Sequence, residues 1–209
     1  MKSKHLAIAL GGPLIRRILK RQINEVRIPL PDHTLAIGDR VLVREQWAPA
    51  CHLIHPTPAC DPCCAVAYRA DMSLRECSPR APDIAMPDIA LPDDRLKMHG
   101  LQWRNAKTLP LNACRLSLTI RSMRVERLQD ITGAGLAAEG MDTLTTLDML
   151  ELGVSERKIY GLIAARGMVR ATYPMDMFCS LADTYSLAWN AQHPRLRWET
   201  NPDVLVLKF

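Results

Sequence analysis

Hydrophobic positions recur along the chain with two periods, and the places where one gives way to the other outline the fold. Leu14, Ile15, Ile18 and Leu19 share one face at helical spacing, with Arg16, Arg17, Lys20 and Arg21 on the other, which predicts a helix over 13–22 with a basic outer surface. Pro13 suits its first turn, because the N–H that proline lacks would have no intrahelical partner there. Beyond Pro29, Pro31 and a turn at Gly38-Asp39, the run 40–47 reads as a strand with Val41 and Val43 on one face. The clearest strand is 115–128, where Leu116, Leu118 and Ile120 alternate with Arg115, Ser117, Thr119 and Arg121. Its apolar parity then moves to Met123 and Val125. One inserted residue near Arg121-Ser122, as in a β-bulge or tight bend, produces such a shift. Helical stretches follow at about 133–140, capped by Thr132; at 155–167, capped by Ser155 with Leu162 and Ile163 inward; and at 175–191, ending before His193-Pro194. Val204 to Phe209 closes the chain as an apolar strand.

Between these segments both periods fail. Residues 49–92 hold eight of the fifteen prolines and five of the seven cysteines, and residues 82–92 contain a tandem PDIAM, PDIAL repeat. Ala65 to Ala70 is the one strand expected there. Proline neither continues a helix nor donates to a central ladder, so 72–100 is expected to be a loop outside the fold. The chain therefore reads as a single domain over 1–209 with an irregular insertion at about 50–100 and a helical segment at about 133–191. The element order fits an α+β fold around a small mixed β-barrel, since bulged strands are common in small barrels.

With 48% hydrophobic and 23% charged residues, the chain has the composition of a folded globular protein, and no run approaches the ~18 apolar residues of a membrane span. The apolar run Leu6 to Leu10 is shorter than the ~7–15 residues of a secretory core, so no export signal is read and a cytoplasmic location is expected. Charge is uneven: residues 1–50 carry nine Lys/Arg against four acids, which accounts for the whole net charge of +5. A basic end on a neutral body suits either a polyanionic partner or a solvated helix face. Seven cysteines, an odd number, fit a reducing compartment better than a disulfide scaffold. Cys51, His55, Cys60 and Cys63 place four soft or borderline ligands within thirteen residues, with one C-x₂-C knuckle, and form a candidate structural zinc set. The alternative is a group of reduced cysteines in a proline-rich loop.

Three separated segments resemble one family. GDRVLVREQWAP (Gly38 to Pro49) is similar to the GDRLWVRETWAP signature of phage and prophage proteins with an ASCH domain. Trp103-Arg104, Leu109-Pro110, Ala113-Cys114-Arg115 and Arg124-Val-Glu-Arg-Leu-Gln-Asp-Ile131 resemble the family's W-R-P, M-P, A-S-R and V-R-V-E-R-L-Q-D-I block, and Glu139-Gly140-Met141 its E-G-I. Trp189, Trp198, Asn201-Pro202, Val204 and Phe209 resemble its tail. The matches run in order through the chain, interrupted at 50–100 and 142–175. The resemblance implies a PUA-like β-barrel with flanking helices and an RNA-binding cleft beside the N-terminal helix. Some members are amidohydrolases acting on acetylated cytidine, and some are described as ribonucleases.

The family's N-terminal motif, G-x-K-x-x-E-x-R or G-R-K-T-Q-T-R-R, maps onto this chain in two registers. One puts its lysine at Ile23 and its catalytic threonine at Val26; the other, one residue shorter, puts them at Gln22 and Glu25. Arg27 matches in both, and Glu139 matches the site's later glutamate. Neither register supplies the hydroxyl that an activated nucleophile requires, which argues against a retained amidohydrolase. The resemblance and the charge pattern together nominate Arg17, Lys20, Arg21, Arg27, Arg44, Glu45, Trp47, Trp103 and Arg104 for nucleic-acid contact and Glu139 for acid–base work. Plainer alternatives are a solvated helix face for Arg17, Lys20 and Arg21, a surface ion pair for Arg44 and Glu45, a barrel plug for Trp47 and Trp103, and a helix C-cap for Glu139. The expected function is RNA binding. Its competitors are a cleft enzyme (a ribonuclease or a degenerate acetylcytidine amidohydrolase) and a phage morphogenesis factor that binds a phage or host protein.

Overall fold

The computed structural model describes residues 6–32, 34–50, 65–76, 89–90, 101–159 and 180–209. These form a mixed α+β fold with three small open sheets, and the chain divides into two compact units. The first takes in Met1–Ile15 and Arg40–Leu118, the second Arg16–Asp39 and Thr119–Phe209. No helix is long and apolar enough to cross a membrane among the described residues.

In the first unit the apolar run that imitates a signal core is a strand. β1 (Leu6–Ala9) lies parallel to β3 (Arg40–Arg44), with Leu6 opposite Val41 and Ile8 opposite Val43, and β8 (Leu116–Thr119) flanks β3 on its other side. The strand expected over 40–47 stops at Arg44 and resumes as β4 (Trp47–Pro49) in a second sheet. That sheet continues as an antiparallel meander through β5 (Ala65–Tyr68), β6 (Ser73–Glu76) and β7 (Ile89–Ala90). Every β5 residue is buried, and its alternation serves two cores. Val66 and Tyr68 join Trp47, Leu109 and Ala113, while Ala65 and Ala67 join Ala50 and Leu74. The loop expected over 72–100 is corrected in part by β6 and β7, whose short ladders avoid the prolines between them; the rest of that segment lies outside the described residues.

The second unit is built on β10 (Asp203–Lys208), antiparallel to both β2 (Glu25–Pro29) and β9 (Ser122–Arg127). Val204 to Leu207 are buried throughout, as a central strand covered on both faces requires. β2 follows a helix, α1 (Gly12–Leu19), shorter than its apolar pattern suggests. Its end is a Schellman turn: the Gln22 N–H donates to the Arg17 carbonyl at 2.9 Å, and Arg21 takes the left-handed conformation at φ 55°. α2 (Gly133–Ala138) starts at the expected cap, Thr132, whose hydroxyl accepts from the Gly135 N–H. α3 (Thr146–Glu151) is not legible as a helix from the hydrophobic pattern, although Thr145 and Asp148 form a reciprocal capping box. A helical turn opens after Ser155 over 156–159, and the remainder of that expected helix lies outside the described residues. α4 (Leu181–Gln192) ends at His193.

The expected long strand is two strands of different sheets, β8 and β9. At their junction Ser122 lies opposite Lys208, while the Arg121 N–H also donates to the Lys208 carbonyl at 2.7 Å, so two residues face one. The parity shift is therefore real, but Met123 and Val125 do not face a core: they are 36% and 59% exposed.

Candidate functional site

The register of the second unit's sheet puts Arg27 and Arg124 on either side of Val206, with Glu25 and Glu126 on the same face. Arg27, whose side chain is 1% exposed, reaches Glu126 at 2.6 Å and Glu25 at 3.4 Å, and its Nη1 donates to the Glu139 carboxylate. Arg124 bridges the rim, donating to Glu25 and Glu126 at 2.9 Å each. Two cations thus meet three carboxylates. The most enclosed of them is Glu139, and burial pushes its carboxyl up to about 7 against the opposing pull of Arg27 and a Tyr185 hydrogen bond. The Tyr185 phenol is itself pushed up, by burial first and by Glu139 second. Glu126 stays below its ordinary value because Arg27 and Arg124 outweigh its partial burial.

Glu139 reaches this position as the C-cap of α2, immediately before Gly140 at φ 73°. The C-cap reading and the pairing with Arg27 are both true of it. The glycines on either side make room: a Cβ on Gly135 would lie 2.9 Å from Arg27 Nη2, and one on Gly140 2.7 Å from Ile23 and 2.8 Å from Arg17. Such a site can hold and release a proton near neutrality. Arg27, however, has its guanidinium committed to carboxylates and presents little positive charge outward.

Arg17 is similarly occupied. It donates to the Thr143 hydroxyl and carbonyl at 3.1 and 2.8 Å and pairs with Asp148 at 3.1 Å. Arg16 pairs with Glu151 and Asp148 at 2.7 and 3.0 Å. Asp148 is the same carboxylate that caps α3; burial opposes its charge, but the Thr145 N–H and Arg17 hold it below its ordinary value. The basic face expected on α1 is therefore half consumed by α3. Lys20 and Arg21 remain exposed, with no ion pair among the described residues.

The first unit inverts the expected roles of Arg44 and Glu45. Glu45 is fully buried and receives a bidentate pair from Arg115 at 2.8 and 2.9 Å. Arg115 also donates to Asp71 at 2.8 Å and to Ser73 at 2.6 Å, and stacks 4.3 Å above the Tyr68 ring. Burial opposes the Asp71 charge, but the Arg115 and Ser73 hydrogen bonds hold it below its ordinary value. Glu45 is thus a buried anchor and not a surface partner of Arg44.

Arg44 instead donates to the Lys107 carbonyl at 2.9 Å, and its buried Nε has no partner among the described residues. Trp47 is 3% exposed and donates its Nε1–H to Thr108 at 3.1 Å, so it is a core residue and not a stacking platform. Its backbone pairs with that of Arg104, whose guanidinium lies 5.1 Å from its ring centre. Trp103 is only half-buried, with the Arg69 guanidinium 5.9 Å from its ring. Backbone and side-chain contacts thus link Arg44, Lys107, Arg104, Trp47 and, through the Arg69 N–H to the Gln46 carbonyl, Arg69. None of Arg44, Arg69, Arg104 and Lys107 has an ion pair among the described residues. Arg69, Lys107 and Tyr185 carry no signal of their own in the sequence, and Arg115, which lies in a family-like motif, is not nominated for the site; only the fold shows what these residues touch.

No group of three or more His, Cys, Asp or Glu side chains is arranged to hold a metal among the described residues. The zinc candidates Cys51, His55, Cys60 and Cys63 lie outside those residues. Comparison of the chain with family models, curated proteins and solved structures gives no match.

Proposed function

We propose that the chain is an ASCH-like nucleic-acid-binding protein of phage type, acting in the bacterial cytoplasm, that holds RNA on the basic face of its first unit. The fold that goes with this reading is a PUA-like barrel. The observation that carries the proposal is the run of four cations, Arg44, Arg69, Arg104 and Lys107, left without carboxylate partners among the described residues, while Arg17 and Arg27 are neutralised inside the protein. Polyanions are held by unneutralised cations, because each phosphate contact releases a condensed counterion. Half-buried Trp103 beside Arg69 offers one ring for a base, and Trp47 serves only as the floor beneath Arg104. This reading moves the contact surface from Arg17 and Arg27 to exposed Arg69, Arg104 and Lys107 with half-buried Arg44 beside them, and leaves Lys20 and Arg21 as a separate, smaller basic pair. An Arg104→Glu/Lys107→Glu variant is expected to lose single-stranded RNA binding while Lys20→Glu/Arg21→Glu loses little; the opposite order would return the site to the second unit.

A second reading, an acid–base enzyme working through Glu139, is favoured by one observation. Arg27 and Glu139, the two residues that the family resemblance retains, meet across 112 positions of sequence, with the glutamate near neutrality. General acid–base catalysis contributes about 10²–10⁴-fold. Against it, the positions matching the family's hydroxyl carry Val26 or Glu25. Turnover of RNA or of acetylated cytidine by the native protein, abolished in Glu139→Gln, would establish this reading; absence of turnover would dismiss it.

A further inference from the structure

We propose that the chain self-associates through β9, two copies pairing antiparallel about a twofold axis at Val125. β9 is an edge of its sheet, and no other strand lies beside it among the described residues. Of its six residues only Glu126 is half-buried and the others are exposed; Val125 is an apolar residue 59% exposed on that edge. Long exposed edges are templates for another strand.

The hydrogen-bond parity identifies what the edge offers. The Leu128 N–H donates to the Pro202 carbonyl at 2.9 Å, in step with the β9–β10 register. In an antiparallel ladder the bonded residues alternate, so even-numbered residues of β9 bond to β10 and Met123, Val125 and Arg127 turn their N–H and C=O groups outward. A twofold axis at Val125 therefore falls on an outward-facing residue, as a bonded pair requires.

Charge then selects that register. About Val125, Arg124 of each copy lies opposite Glu126 of the other, in the non-bonded pairs where side chains approach most closely. Moving the axis by one residue sets Arg124 against Arg124 or Glu126 against Glu126, and like charges directly opposite are destabilising. The sequence Arg-Val-Glu is thus complementary to itself only in the arrangement that the backbone parity also allows. The occupant of this edge is a second copy of the chain, and the pairing is independent of the nucleic-acid surface proposed for the first unit.

The test is sedimentation equilibrium of the full chain from about 1 to 200 µM, beside Val125→Lys. Val125 is exposed, so this substitution sets two ammonium groups together at the axis without touching a core. The native chain is expected to form a reversible dimer, and Val125→Lys to weaken it tenfold or more, with the same melting temperature as the native chain at dilutions where both are monomeric. As a second readout, Val125→Cys places two thiols on residues about 5.5 Å apart at Cα, within reach of a disulfide. Under mild oxidation this variant is expected to form a disulfide joining the substituted positions of two copies, located by mass spectrometry. A native chain monomeric at 200 µM, a dimer untouched by Val125→Lys, or no such link would each overturn the proposal.

Discussion

Replacing Glu139 by Gln removes the acid that titrates inside the second unit and keeps an oxygen to accept from Arg27. The expected effect depends on pH in a way that follows from the cluster. Free glutamate titrates near 4.5, whereas burial pushes Glu139 up to about 7. Below about 4.5 the folded and unfolded chains both hold the proton. Between about 4.5 and 7 the unfolded chain releases it while the folded chain retains it, so the native protein loses stability as pH rises through this window. At ~1.4 kcal/mol per pH unit, the loss reaches about 3 kcal/mol once the pH passes 7. Glu139→Gln has no such proton, so its stability relative to the native chain improves by about that amount between pH 4.5 and 8. Every other ionisable group is present in both proteins, so its own contribution cancels in the difference to first order. Glu126, Asp148 and Asp71 are held below their ordinary values, so their contribution is present above about pH 4 and lost only as the solution becomes more acid. Urea unfolding followed by tryptophan fluorescence at pH 4.5, 5.5, 6.5 and 7.5 gives the two curves. A difference between the proteins that stays constant across this range would refute the reasoning.

Arg27→Met keeps volume but leaves Glu25, Glu126 and Glu139 without their shared cation, and unfolding measurements at pH 7.5 are expected to show a loss of about 3–5 kcal/mol. Gly135→Ala presses a methyl against the same guanidinium, and is expected to lower the melting temperature by several degrees, with Glu139 pushed further up as its partner moves away. Gly140→Ala combines a positive φ, costing about 1–2 kcal/mol, with contacts on Ile23 and Arg17, so its thermal shift should exceed that of Gly135→Ala. Arg21→Gly relieves the left-handed arginine that ends α1 and is expected to raise stability by ~1 kcal/mol in the same assay, since glycine adopts that conformation without strain.

Local pattern carries the elements whose cores are local, and fails where a partner decides. Thr132, Gly140 and the apolar run from Val204 to Leu207 identify α2 and β10, because caps and a doubly buried strand leave their mark in adjacent residues. β1 reads as a signal-like run until its parallel neighbour β3 is known, and β2, at Glu25–Pro29, hides behind charged residues that are buried only because they meet one another. Met123 and Val125 suggest an inward face; the edge position of β9 leaves them exposed. The same distinction governs the site. Arg27 and Glu139 are nominated separately, by the family resemblance, and the fold brings them into contact. Arg17 and Glu45 are nominated as contact residues because charge in a sequence carries no record of its counter-ion; Asp148 and Arg115 supply those counter-ions from 131 and 70 positions away. Arg69 and Lys107 go unnoticed for the complementary reason, since nothing local shows that a cation will be left unpaired.

The central claim is that unpaired cations of the first unit hold a polyanion, and the salt dependence of binding tests it most directly. Four phosphate contacts on a single strand give a slope of log affinity against log salt of about −3, a loss of roughly 50-fold between 50 and 200 mM. Fluorescence anisotropy with short labelled single-stranded RNA, for the native protein and for Arg104→Glu/Lys107→Glu, should return that slope for the first and no measurable binding for the second. A native protein that fails to bind at 50 mM salt, or a double variant that binds with the native slope, would contradict the account.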